Sequence, residues 1–275
     1  LSIENNLFIS GGADAIYIGE TLVSASVSLL NCSISNNVFQ PNDDADGKAI
    51  YLANANVTSV YGLNIIGNNC SSVYSRNVDF IISPPAAVDT SRIIFSENVN
   101  VYDVTLGSNS GLQYSNITSN IIRGDLTFNA AIQNSIVSEN NIVGALTSLI
   151  SNSNNIINNK MATLSLTTVT DSIIELNTAN ATIGSVSSSN INNNKLGPST
   201  IGDITSSSVT SNNISTTFTI ENITSSNVSG NIIGSDFTVG DVVNSNLSNN
   251  VCVGNFVTGT LTNTNLVTNR SDNDG

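Results

Sequence analysis

An asparagine recurs along this chain at a nearly constant interval, each time with an apolar residue three positions before it. The asparagines are Asn6, Asn37, Asn68, Asn98, Asn120, Asn140, Asn159, Asn177, Asn194, Asn212, Asn231, Asn250 and Asn269. Their apolar companions are Ile3, Ile34, Ile65, Phe95, Ile117, Val137, Ile156, Ile174, Ile191, Val209, Val228, Leu247 and Leu266. The residue two after the asparagine is apolar in eleven of thirteen cases, failing at Asn100 and Ser271. From Asn120 onward the steps are 20, 19, 18, 17, 18, 19, 19 and 19 residues; before it they are 31, 31, 30 and 22. A fixed short period of this kind requires a solenoid, in which each repeat packs only on its neighbours.

The content of each period decides which solenoid. A second apolar column reads Leu126, Leu146, Leu164, Ile183, Ile201, Phe218, Phe237 and Phe256. Around it apolar and hydroxyl residues alternate, as in Phe237-Thr238-Val239, which is the period of a half-buried strand. No period contains the 10 to 12 residues of helical spacing that a helical or leucine-rich repeat needs. The expected fold is all-β: a single-stranded right-handed parallel β-helix of about thirteen coils, with about three short strands per coil. Handedness follows from the preference of parallel crossovers. One domain is expected over 1–275, with irregular longer coils over 1–119 and regular coils of 17–20 residues over 120–270. The asparagine column is read as structural. Asn tolerates left-handed backbone in a sharp turn, and stacked amides can donate and accept along the axis as a ladder.

Composition removes several functions. The net charge is −13, and seven Lys and Arg are scattered along the chain. No basic stripe exists to meet phosphates, so nucleic acid is not an expected partner. No apolar run approaches the roughly 18 residues of a membrane span, so membrane insertion is not expected. There is no His, which excludes Ser-His-Asp, Cys-His and histidine-metal chemistry. Asn is the dominant residue, 46 of 275, and mean hydropathy is +0.11. That hydropathy and the fixed apolar period argue against disorder. Cys32, Cys70 and Cys252 show neither disulfide nor metal spacing; Cys70 and Cys252 fall at inward repeat positions, which favours small core residues.

The long coils carry the departures from the pattern. Inserted loops on a repeat scaffold often carry function. Tyr17, Tyr51 and Tyr61 lie there and form the candidate ligand surface, for instance toward surface glycans. The loop Asn42-Asp43-Asp44-Ala45-Asp46-Gly47 places oxygen ligands at Asn42, Asp44 and Asp46 before a glycine, as in a calcium turn. Calcium is therefore the one cofactor the sequence suggests. Ala53 stands where an EF-hand loop would supply its bidentate Glu.

Two other functional classes leave partial signals. A glycan hydrolase needs two carboxylates about 5 to 9.5 Å apart across a groove. The best constellation is Asp203, Glu221 and Asp241. Asp203 and Asp241 are expected in one column two coils apart, about 9.6 Å at strand spacing, with Asn222 between them. An ice-binding face would need a flat hydroxyl array. The candidate column of Thr127, Thr147, Ser165, Gly184, Gly202, Thr219, Thr238 and Val257 is broken by its glycines and valine.

Stacked Asn in a turn of this kind resembles the pectate-lyase-like right-handed β-helix superfamily. Gly11-Gly12-Ala13 with Ala15-Ile16-Tyr17, Gly47-Lys48-Ala49-Ile50, and Phe95-Ser96-Glu97-Asn98 also resemble the adhesin-type repeats of polymorphic outer-membrane proteins. Viral tail fibres and spikes share the architecture. The resemblance implies a non-catalytic extracellular structural or adhesive module, placed at a cell surface or virion. Its partners would be flanking domains or further copies stacking at the open ends. The alternative it implies is a polysaccharide-degrading β-helix of the tailspike kind. Fold alone does not choose between them.

Overall fold

The computed structural model describes residues 1–10, 15–17, 27–41, 47–52, 57–70, 78–84 and 89–271. Among these the regular structure is entirely β-strand, and the paired strands run parallel. The chain divides into two compact units, Leu1–Leu149 and Ile150–Gly275.

In the first unit Ser2–Glu4, Ser33–Ser35, Asn64–Ile66, Ile94–Ser96, Asn116–Thr118 and Ile136–Ser138 pair in sequence order. The apolar companions from Ile3 to Val137 sit in register at the centre of these strands. In the second unit the same face is built by Asn155–Ile157, Ile173–Glu175, Asn190–Asn192, Ser208–Thr210, Asn227–Ser229, Asn246–Ser248 and Asn265–Val267. Ile34, Ile65, Phe95, Ile117, Val137, Ile156, Val209, Val228 and Leu247 are fully buried. Each unit is thus a stack of coils closed around one apolar core.

The solenoid comes to about ten turns, not thirteen. Counting ladder positions overcounts, because n stacked positions enclose n − 1 turns. The long N-terminal turns also run partly through residues outside the described set. A regular coil has four short strands where about three were expected: Ser208–Thr210, Asn213–Ile214, Phe218–Ile220 and Ile223–Thr224. The extra one, just after the ladder asparagine, pairs separately with Ile232–Ile233 of the next coil. In three consecutive coils it merges with its successor, giving the long strands Lys160–Thr170, Thr178–Ser187 and Lys195–Ile201.

The left-handed residue of the turn lies one place earlier than the sequence suggests. Asn5, Asn36, Gly67, Glu97, Ser119 and Glu139 in the first unit have φ between 55° and 66°. Asn158, Leu176, Asn193, Ser211, Gly230, Asn249 and Thr268 in the second have φ between 53° and 66°. No ladder asparagine has positive φ. The reason is geometric. Two inward side chains three residues apart cannot both belong to one period-two strand. A left-handed residue between them absorbs the odd step, points outward, and returns the asparagine to the interior.

One column of the sequence reading is out of register. Leu164 pairs with Ala181, and Ile183 pairs with Leu166 and Ile201. Phe218 pairs with Ser199, not Ile201. The inward column is Leu164, Ala181, Ser199, Phe218, Phe237 and Phe256. A two-residue slip preserves inside-outside alternation, so polarity alone cannot expose it. The outward column beside it is Ser165, Thr182, Thr200, Thr219, Thr238 and Val257, and neither Gly184 nor Gly202 belongs to it.

Candidate functional site

The ladder asparagines occupy the turn that ends each ladder strand, and their amides are fully used. In the first unit the backbone N–H and Nδ2 of Asn37 both donate to Asn68 Oδ1, at 3.0 and 3.1 Å. Asn37 Nδ2 also donates to the carbonyl of Ile3 at 2.9 Å. In the second unit Asn212 donates twice to Asn231 Oδ1, at 3.0 and 3.0 Å, and once to the Ile191 carbonyl at 2.9 Å. The same bonding runs through Asn68, Asn98 and Asn120 toward Asn140, and through Asn159, Asn177, Asn194, Asn231 and Asn250 toward Asn269. Asn212 Oδ1 accepts two bonds and its Nδ2 donates two, which exhausts a carboxamide. Aligned amides of this kind polarise one another. These residues are structural, as expected.

A second ladder, five residues before the first, escaped the sequence reading. Ser115 and Ser135 hold this place in the first unit; Ser172, Ser189, Ser207, Ser226 and Ser245 hold it in the second. Each hydroxyl donates to the carbonyl two residues earlier, as Ser226 does to Thr224 at 2.6 Å. Each oxygen then accepts the backbone N–H of the coil before, as Ser207 N–H bonds Ser226 Oγ at 3.0 Å. The signal was the constant offset of five between Ser and Asn, hidden by the abundance of Ser.

Aspartates form a third set of such contacts. Asp103 Oδ1 accepts the N–H of Asp125 at 2.8 Å, and Asp125 Oδ1 accepts that of Ala145 at 2.7 Å. Glycine is required beside them: a Cβ on Gly124 would stand 2.0 Å from Asp103 Oδ1, and one on Gly144 2.0 Å from Asp125 Oδ1. Asp236 and Asp241 repeat the arrangement in the second unit, toward Asn255 N–H and Thr260 N–H, each at 2.7 Å.

The candidate catalytic carboxylates belong to this pattern. Asp203, Asn222 and Asp241 precede residues paired in register, Ile204 with Ile223 and Ile223 with Val242. They therefore share one column, as expected, about 9.6 Å from first to last. Asn222 Nδ2 donates to Asp203 Oδ1 at 2.7 Å, and Asp241 N–H donates to Asn222 Oδ1 at 3.1 Å. All three carboxylates are exposed. Asp203 and Glu221 line a shallow recess with Thr182, Gly184, Thr200 and Gly202; Asp241 does not line it. The trio is thus divided two and one.

The other candidates are scattered. Tyr17 and Tyr51 are partners on neighbouring strands, whereas Tyr61 pairs with Leu30 and Ser91 on another face. Lys48 Nζ sits 4.2 Å from the Tyr51 ring centre, and the Arg92 guanidinium 5.1 Å from that of Tyr61. Asn42, Asp44 and Asp46 lie outside the described residues. Cys32, Cys70 and Cys252 are buried and free. Burial, with a smaller contribution from the Asp79 charge, pushes the Cys70 thiol well above its usual range, which makes it inert as a nucleophile. Comparison of the chain with protein-family models, with curated proteins and with solved structures finds no match.

Proposed function

We propose that this chain is a non-catalytic extracellular structural or adhesive module, a component of a surface adhesin, fibre or spike at a cell surface or virion. The observation that carries the reading is how its carboxylates are used. Asp103, Asp125, Asp236 and Asp241 each accept a backbone N–H from the following coil. A glycosidase acid is a carboxyl kept protonated by an apolar pocket, and Asp203, Glu221 and Asp241 are exposed. The flanking domains or further copies expected at the coil ends, and a calcium ion at Asn42, Asp44 and Asp46, remain part of the proposal. The polysaccharide-degrading alternative rests on the recess shared by Asp203 and Glu221. Incubation with acidic and neutral polysaccharides, read by size-exclusion chromatography, should leave chain length unchanged. Shortening that vanishes in Asp203→Asn or Glu221→Gln would establish the alternative instead.

A further inference from the structure

The described cations of the second unit are Lys160, Lys195 and Arg270, and all three stand immediately after a ladder asparagine. Lys160 pairs with Thr178, and Thr178 with Lys195, so two lysines flank one threonine on adjoining strands. Their backbones are about 9.6 Å apart along the stack. All three side chains are exposed. Lys160 and Lys195 have no carboxylate partner among the described residues. Glu175, three residues before Thr178, lies before the asparagine turn and is held by Asn193 Nδ2 at 3.0 Å.

Beside this pair the surface dips. Lys195, Thr178, Asn180, Ala162, Leu196 and Gly197 line a recess on the long strands. Gly197 keeps it open: a Cβ there would stand 1.9 Å from Asn180 Oδ1. The Asn180 amide leans over the glycine and makes no hydrogen bond within the described chain. The recess therefore offers one lining cation, Lys195, a hydroxyl, a free amide and an apolar floor, with Lys160 on the strand beyond Thr178.

We infer that this recess binds an anionic sugar residue of a glycan, carrying a carboxylate or a sulfate. The anion lies between the ammonium groups of Lys160 and Lys195. The ring lies against Ala162 and Gly197, and its hydroxyls meet Thr178 and Asn180. This is charge complementarity in a local sense only. The chain carries −13 overall, so its long-range field repels polyanions, and attraction requires the paired lysines at contact distance, inside about 8 Å at physiological salt. The inference rests on the adhesive reading and names its ligand class.

Binding of sulfated and of carboxylated oligosaccharides tests it, with a neutral dextran oligosaccharide and phosphatidylserine vesicles as further arms. The parent should bind the sulfated chain, the carboxylated chain or both, and the two arms identify the anion. In Lys160→Gln/Lys195→Gln affinity should fall at least tenfold with unchanged circular dichroism and melting temperature. Asn180→Ala should lose less, and Arg123→Gln, which removes one positive charge in the other unit, nothing. No binding, equal binding of dextran, binding to vesicles alone, or binding untouched by the double substitution would overturn the site. Shortening of the oligosaccharides would instead sink the non-catalytic reading, whatever the lysine variants do.

Discussion

The long coils that end at Asn98 and the regular coils that follow build the same turn from different materials. Five residues before the ladder asparagine the long coils carry Cys32, Leu63 and Ile93, all buried. The coils after them carry polar residues: Ser115 and Ser135, and in the second unit Asn154, Ser172, Ser189, Ser207, Ser226 and Ser245, equally buried, then Thr264. The aromatic contacts sort by column: in the long coils Phe8 and Phe39, partners in one column, stack at 9°. Phe39 and Phe80 meet edge-on at 78°, and Phe80 and Phe95 at 90°. Phe218 and Phe237 stack at 8°, 5.4 Å apart. Where the period is constant, identical residues fall in one column and lie face to face at the coil spacing. Rings from different columns, as Phe80 is to Phe39 and Phe95, meet edge to face, the other arrangement aromatic quadrupoles favour.

The asparagine position alone is the same in both regions. Its Oδ1 accepts only from the asparagine of the coil before, through N–H and Nδ2, so a single foreign residue disturbs both neighbours. The position five residues earlier is more permissive. It can be satisfied by apolar packing or by a hydroxyl whose bonds are completed locally.

The largest expected effect follows from that asymmetry. Asn212→Leu removes the acceptor used by Asn194 N–H and Nδ2, and it takes the Nδ2 donor from Asn231 Oδ1 and from the Ile191 carbonyl. Each buried group left unbonded costs about 1–3 kcal/mol. A loss of at least about 4 kcal/mol is expected in urea denaturation, a large share of a typical domain's 5–15 kcal/mol. Asn68→Leu, among the long coils, should cost as much. A loss below about 1 kcal/mol at either position would mean that the ladder stacks without contributing to stability.

The turn position five residues earlier should separate the two regions. Ile93 is fully buried, and Ile93→Ser should cost about 3 kcal/mol, since it removes apolar burial and leaves a cavity. Ser207→Ala should cost about 1–2 kcal/mol. It removes the acceptor of Ser189 N–H and the bond to the Thr205 carbonyl. Equal costs, measured by the same denaturation, would show that the two kinds of coil use this position alike.

What the sequence made legible and what it hid have one physical cause. The ladder was visible because its partner must be the same residue at every step, so chemistry and spacing reinforce each other. The left-handed residue before it was hidden because that place admits Asn, Gly, Glu, Ser, Thr and even Leu176; it constrains the backbone and leaves the side chain in solvent. The serine ladder was hidden by composition. The slipped column was hidden because Ala181 and Ser199 are small, and a search for large apolar residues passes over them to Ile183 and Ile201. Of the candidate sites, the shared column of Asp203 and Asp241 was readable from spacing. The recess beside Lys160 and Lys195 was not, because it depends on strands that merge across a corner and on an amide leaning over Gly197.

The smallest effect concerns Cys70, in the long coils beside Asp79. Its thiol is raised chiefly by burial and secondarily by the Asp79 charge, so the folded state holds the proton that an unfolded chain releases near pH 8.5. The stability tied to this group is fully present below that value. It is lost as pH rises, because the unfolded state gains the free energy of ionisation and the folded state does not. The loss approaches about 1.4 kcal/mol per pH unit once the unfolded thiol is mostly ionised. Cys70→Ala deletes this dependence along with a little packing. Between pH 8.5 and pH 10 the parent should therefore lose about 1.6 kcal/mol more than the variant in urea denaturation. Other groups titrating in that interval act on both proteins and cancel in the difference. Parallel curves would mean that the folded thiol ionises as freely as the unfolded one, and that the long coils admit water where the regular stack does not.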